Sequence, residues 1–285
     1  MHPESPYLVP FEGRWKLDES PTGPPSGADG DKKQVKALER SVEQLYELQR
    51  QLYAEDRRSL LLVFQAMDAA GKDSTIRHVF SGVNPAGFQV SSFKAPSPEE
   101  LDHDFLWRTS RRLPERGRIG VFNRSYYEEV LVVRVHPEYL GGQRLPHSDP
   151  DRLWDERFES IREHERHLDR SGTTVLKFFL NVSRDEQARR LLDRIDEPKK
   201  NWKFNAGDLA ERALWPNYMQ AYEQALRQTS RPWAPWYAVP ADDKPFLRRT
   251  VADLVAAALT QMDPRYPQAS DQDLLGLRAQ LEREL

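Results

Sequence analysis

The chain has 285 residues, room for one large or two modest domains, with 42 Lys plus Arg against 45 Asp plus Glu. The resulting charge of -3 excludes a protein that coats nucleic acid through bulk positive charge, so any polyanion must meet a local basic patch. No cysteine is present, which excludes disulfides, thiolate catalysis and Cys-ligated metal centres. The longest apolar run, Leu254 to Leu259, falls far short of the ~20 residues a membrane span needs. The opening MHPESPYLVP lacks a signal-peptide layout, so a soluble cytoplasmic protein is expected.

In chain order, ESPTGPPSGADGD before Lys32 reads as an extended arm, residues 1–31. From Lys32, Val35, Leu38, Val42, Leu45 and Leu48 recur at helical spacing. Leu60 to Phe64 is a short apolar run suited to a strand buried on both faces of a parallel sheet. Further strands are predicted at Phe88–Phe93, Ile119–Phe122, Thr174–Leu180 and Trp236–Val239. Between them, helices are predicted near Pro98–Leu113, Tyr126–Val133, Asp151–Arg170, Arg184–Arg194, Asp208–Gln228 and Lys244–Met262. This alternation predicts a doubly wound α/β domain over residues 32–263, with helices on both faces of a parallel sheet. Residues 264–285 read as a polar helical tail packed on the outside.

AMDAAGKD follows the first buried strand and opens a helix, the context of a phosphate-binding loop. Gly71 and Lys72 match G-x-x-x-x-G-K-[ST]; Ala66 stands for its first glycine and Asp73 for its hydroxyl residue. A tight turn with a surface lysine would look the same. Asp68 favours the functional alternative, because a carboxylate inside a phosphate loop repels the ligand unless a cation bridges the two. An Asx turn remains its structural alternative. In GVFNRSYYEEV, Asn123 stands at the end of the strand predicted at Ile119–Phe122, where phosphate-loop enzymes commonly carry a magnesium-binding Asp. Arg124 follows it, suited to phosphate oxygens or to an ion pair with Glu128 or Glu129.

The segments FQAMDAAGKDSTIRHVF, FKAPSPEELDHDFLWR, FNRSYYEEVLVVRVHPEYL and RRLLDRIDEPKKNWKFN together resemble the polyphosphate kinase 2 family, from about Ala37 to Met262. The resemblance implies a phosphate-loop kinase fold with a helical lid at about 184–215. It implies Mg2+-dependent, reversible transfer of a terminal phosphoryl group from inorganic polyphosphate to nucleoside mono- and diphosphates. Asn123 with Glu128 reverses the pair many members carry and looks like the subgroup that phosphorylates both AMP and ADP.

Asp68, Lys72, Arg124 and Glu128 are therefore the candidate catalytic residues, with Asp68 and Glu128 as candidate magnesium ligands. Ala69, Ala70, Gly71, Asp73 and Ser74 would supply the loop's phosphate contacts. Arg190, Arg194, Lys199, Lys200 and Lys203 would line the path of the polyphosphate from the lid, although the same charges alone read as a solvated face. Lys94, Arg108 and Arg134 complete the candidate phosphate contacts, with surface ion pairs as the alternative for Lys94 and Arg108. Relatives of this family suggest a homo-oligomer, dimer or tetramer; neither nucleic acid nor membrane is an expected partner. HERH, with His164 and His167 three apart, lacks metalloprotease spacing and reads as a solvated helix face. The rival functions are an ATP-dependent nucleoside monophosphate kinase and a non-catalytic nucleotide-binding protein.

Overall fold

The computed structural model describes every residue except Met1, His147, Ser148, Pro150, Asp151 and Ala269, and the side chains of Lys203, Asp271, Gln272 and Asp273. Five strands, β1 (Ser59–Gln65), β2 (Phe88–Ser92), β3 (Ile119–Asn123), β4 (Thr173–Asn181) and β5 (Trp236–Pro240), form one sheet ordered β2-β3-β1-β4-β5. Every pairing is parallel, with Leu62 opposite Val121 on one side and Leu176 on the other. All of β1 is buried, as its unbroken apolar run requires of a strand covered on both faces. The chain leaves β1 first toward β2 and β3 and later toward β4 and β5. That switch of direction opens a crevice at the carboxyl ends of β1 and β3.

Helix α1 (Asp31–Glu55) lies along the C-terminal part of the chain, α7 (Lys244–Met262), which in turn packs on α2 (Lys72–Val79). On the other group, α3 (Leu153–Arg170) and α6 (Trp215–Thr229) pack on each other and on a 3-10 turn at Tyr126–Val130. The remaining long elements, α4 (Arg184–Asp196) and α5 (Gly207–Ala213), follow β4 as the predicted lid.

Three predicted helices are broken, each for a local reason. Pro98–Leu113 becomes two short helices, Pro98–Leu101 behind a Ser97/Glu100 capping box and Trp107–Ser110. Between them the Asp104 carboxylate accepts the Leu106 N–H and so diverts backbone bonding away from a continuous helix. Tyr126–Val133 is a 3-10 turn followed by a separate turn at Val132–Val135, where β-branched residues disfavour a regular α-helix. Asp208–Gln228 splits at Leu214, because Pro216 belongs to the first turn of a new helix.

The N-terminal segment is extended, yet it is no free arm. Leu8 bridges Tyr237 antiparallel, Val9 N–H donates to Trp236 O at 2.9 Å, and Val9 and Leu17 are buried. The tail forms a helix on the outside, α8 (Asp271–Leu281), and is less polar than expected, with Leu274, Leu275, Leu277 and Leu281 exposed.

Candidate active site

Between β1 and α2 the chain turns through Ala66–Gly71, with Ala69 at φ 61 and Gly71 at φ 108. Both lie in the left-handed region, a tolerable conformation for glycine and a strained one for alanine. Gly71 offers α2 no side-chain cap, so the first-turn N–H groups of Lys72, Asp73 and Ser74 face outward for an external acceptor. The Lys72 ammonium folds back onto the loop, 2.7 Å from Ala66 O and 3.5 Å from Met67 O. Burial, with Arg124 nearby, lowers its pKa to about 8.

Arg124 follows the end of β3 at φ 63, its N–H bonded to Phe64 O of β1 at 3.0 Å. That contact ties the two strand ends together. Its guanidinium donates to Asp68 Oδ1 at 2.7 Å and to Glu128 Oε2 at 3.2 Å. The Glu128 charge, more than any other, raises the Arg124 pKa, so the fork stays cationic. The expected ion pair of Arg124 with Glu128 is present, and Asp68 is a second acidic partner. Asn123 donates from Nδ2 to Asp73 Oδ1 at 2.6 Å. An Asp at position 123 would oppose that carboxylate; the amide accommodates it.

These groups surround a cavity of about 670 Å³ over the phosphate loop, also lined by Lys94, Arg194, Lys200 and Lys244. A second cavity of about 480 Å³ adjoins it and shares Lys94, Ala95 and Arg124. Its walls are largely apolar, with Pro96, Leu101, Val132, Val133 and Tyr139, and Glu128 lines it. A smaller recess of about 140 Å³ joins Asp68, Arg124 and Glu128 to Glu211, Tyr218 and Tyr222. Glu128 lines these two adjoining spaces and is not among the residues lining the cavity over the loop.

The other predicted phosphate contacts divide. Lys94 stands exposed where the two large cavities meet. Arg108 is buried beneath it, donating to Lys94 O at 2.8 Å with Phe93 5.6 Å away, so it also shapes the strand end that carries Lys94. Arg134 is a correction: it lies over Trp154 and Phe158 at 5.4 and 6.0 Å and lines neither large cavity. Arg190 is a second correction. It lines the cavity, yet all five of its N–H donors are spent on Glu186 and on the carbonyls of Ala69, Ala70, Ala241 and Asp242. It braces the phosphate loop and has no donor left for phosphate.

Arg194 pairs with Asp208 at 3.0 Å while lining the cavity, and Lys200 does so while paired with Glu197 at 2.5 Å. Lys199 is exposed and lines none of these spaces, and the side chain of Lys203 lies outside the described residues.

Sequence reasoning missed Asp208 and Glu211, three apart on α5. Burial first, then the charge of Asp68, raises the Asp208 pKa, and Asp208 accepts from Arg194, which lines the cavity. Glu211 is held by His136 at 3.0 Å and by the Tyr218 hydroxyl. Their i, i+3 spacing on a lid helix was the available signal. Gln187 was also missed; it holds Asp68 O at 3.0 Å from the lid's first helix.

No three His, Asp or Glu side chains among the described residues form a ready-made metal cluster. The donor chemistry fits a hard cation all the same. Asp68 and Asp73 bring carboxylate oxygens to the cavity wall, and magnesium is commonly held by one or two carboxylates together with substrate phosphates.

With this geometry in place, comparison with known proteins is direct. The sequence profile described as "Polyphosphate kinase 2 (PPK2)" matches residues 28–267. The chain belongs to the polyphosphate kinase 2 family. It is 56% identical over 249 residues to an ADP-polyphosphate phosphotransferase of Rhodopseudomonas palustris, covering 86% of each chain. It is 44% identical over 266 residues to an AMP/ADP-polyphosphate phosphotransferase of Meiothermus ruber, covering 92% of this chain and 95% of that one. The crystal structure of polyphosphate kinase 2 from Arthrobacter aurescens TC1 superposes with a TM-score of 0.89 at 38% identity, over 99% of this chain and 98% of that one. The predicted α/β phosphate-loop kinase fold and the enzyme class of the polyphosphate kinase 2 family both hold.

Proposed function

We propose that this enzyme moves the terminal phosphoryl group of inorganic polyphosphate onto ADP, and onto AMP, giving ATP and ADP. One observation carries the reading: Arg124 stands between a basic cavity over the phosphate loop and an apolar-walled one, with a carboxylate on each side. The basic cavity suits a phosphate chain, and the apolar walls suit a nucleobase whose phosphates point back toward Arg124 and Lys94.

In the transfer, an oxygen of the acceptor's terminal phosphate forms a bond to the donor's end phosphorus. The anhydride P–O bond breaks, and the bridging oxygen leaves with the electron pair. Phosphoryl transfer asks for positioning and charge neutralisation more than for covalent help. Lys72 turns from the carbonyls of Ala66 and Met67 to the transferring phosphate, a far stronger acceptor. Arg124 neutralises charge on the equatorial oxygens, and the first-turn amides of α2 hold the rest. Asp68, with Asp73 beside it on the cavity wall, would hold magnesium, which would supply further charge neutralisation. Glu128, on the wall of the apolar cavity, serves the acceptor side, where it meets AMP or ADP. The lid excludes water that would hydrolyse the anhydride.

The test incubates purified protein with magnesium, long-chain polyphosphate and either AMP or ADP, following nucleotides by chromatography. A further tube holds AMP and ATP without polyphosphate. ADP and then ATP from AMP supports the whole reading; product from ADP alone removes AMP from it. Turnover only in the ATP-fed tube replaces it with an ordinary nucleotide kinase. A homo-oligomer is part of the same proposal, consistent with Val35, Tyr46 and Tyr53 standing exposed on α1 and tested by light scattering.

A further inference from the structure

Three cations at the α2–α7 seam have no partner among the described residues. Lys244, Arg248 and Arg77 form no ion pair or side-chain hydrogen bond among the described residues, and Arg248 Nε is buried with no acceptor. The adjacent Arg249 shows the contrast, since it is engaged by Asp29, Asp253 and Gln34. Lys244 lines the cavity over the phosphate loop. Arg248 lies one turn further along α7, on the same face as Lys244, and Arg77 sits in the last turn of α2, the helix against which α7 packs.

The placement is electrostatically unfavourable for the protein alone. A helix N-terminus carries partial positive charge and favours acids, yet the first turn of α7 holds none and starts with Lys244. Only the capping Asp243 offsets this, through its bond to Phe246 N–H at 2.7 Å. The carboxylates closest in effect, Glu186 and Asp193, act on Lys244 and are on the lid side, with Glu186 already bound by Arg189 and Arg190. For Arg248, burial and the charges of Arg77 and Arg190 all lower the pKa, with no opposing acid. Uncompensated neighbouring cations leading away from a phosphate cavity are what an external polyanion would neutralise.

We propose that the donor polyphosphate, beyond its reacting end, leaves the cavity past Lys244 and lies on Arg248 and Arg77 along the α2–α7 seam. This second subsite is reached by long chains and out of reach of short ones. The polyphosphate path expected along the lid through Lys199 is thus redirected over the phosphate-loop helix. The inference rests on polyphosphate being the donor.

The experiment compares steady-state kinetics of wild type and Arg77→Ala/Arg248→Ala with long-chain polyphosphate and with tripolyphosphate, at saturating ADP. Wild-type turnover of long-chain polyphosphate is established first; its absence overturns the function itself, and the subsite with it. The expected result is a KM for long chains raised about tenfold, with tripolyphosphate kinetics unchanged. The slope of log KM against log salt should fall by about one for each arginine removed. Arg77→Lys/Arg248→Lys should recover most of the long-chain affinity, which a folding defect would not allow. Equal losses with both donors, or no loss with either, overturn the proposal.

Discussion

Among the described residues two lysines are buried, and burial lowers both to a pKa of about 8. Their surroundings differ. Lys177, in the middle of β4, donates to Glu165 Oε2 at 2.6 Å and to Tyr127 Oη and Thr229 O at 2.9 Å. Its three N–H groups are all used, and Glu165 in turn lies 2.9 Å from the hydroxyls of Tyr126 and Tyr127. Lys72 has one short contact, to a carbonyl, a second at the limit of hydrogen bonding, and a cation for a neighbour. A buried charge enclosed by partners fixes structure; one left with neutral acceptors beside a cavity is ready for an anion.

The largest break in this comparison is Lys72→Ala. Turnover should fall about a thousandfold, since one positioned charge at a reacting group is worth that much, while Tm moves little. A Tm collapse equal to that of a Lys177 variant would show that both lysines are structural.

The converse substitution, Lys177→Met, strands Glu165 in the core and should remove about 3–5 kcal/mol of stability. In a chain of this size that lowers Tm by about 5–8 °C in thermal unfolding, with KM for both substrates unchanged in the folded fraction. Adding Glu165→Leu should recover part of the loss, because the uncompensated charge goes with it.

A smaller effect sharpens the difference through pH. Lys72 must be protonated to hold phosphate, and its pKa in the free enzyme is about 8. As pH rises through 8 the proton is lost, so kcat/KM should decline on the alkaline side by about tenfold per unit. An increase over that interval would mean that deprotonated Lys72 acts as a base. Least in size, Glu128→Gln should raise the acceptor KM by about tenfold and leave the polyphosphate KM alone. A change in the polyphosphate KM instead would move Glu128 to the metal.

The part of the site legible in the sequence is the part that is local. Asp68, Gly71 and Lys72 lie within one strand–loop–helix unit, and Arg124 directly follows β3, the strand beside β1 in the sheet, so motif and context find them together. Arg190 was placed on the right element and given the wrong task, because its acceptors come from residues 69–70 and 241–242, which only the folded sheet brings to it. Glu165 was hidden for another reason. It lies between His164 and Arg166 in a helix that reads as solvated, yet it has 0% exposure. The signal for it was at the other partner: Lys177 interrupts an otherwise apolar strand, and a charge there demands a counter-charge. The broken helices were invisible to periodicity because a side-chain acceptor, a β-branched run or a proline decides each break.

The first residues of the chain have a consequence for anyone trimming it. A version cut to the family-matched residues 28–267 would retain Asp68, Lys72, Arg124 and the lid. It would lose Tyr7 and Val9, whose main-chain bonds occupy the outer side of β5, a strand buried along its full length. Unpaired amides and carbonyls on an apolar edge are a template for strand addition by another molecule. The shortened protein should therefore retain its chemistry and lose its colloidal good behaviour, clumping at concentrations where the intact chain stays dispersed.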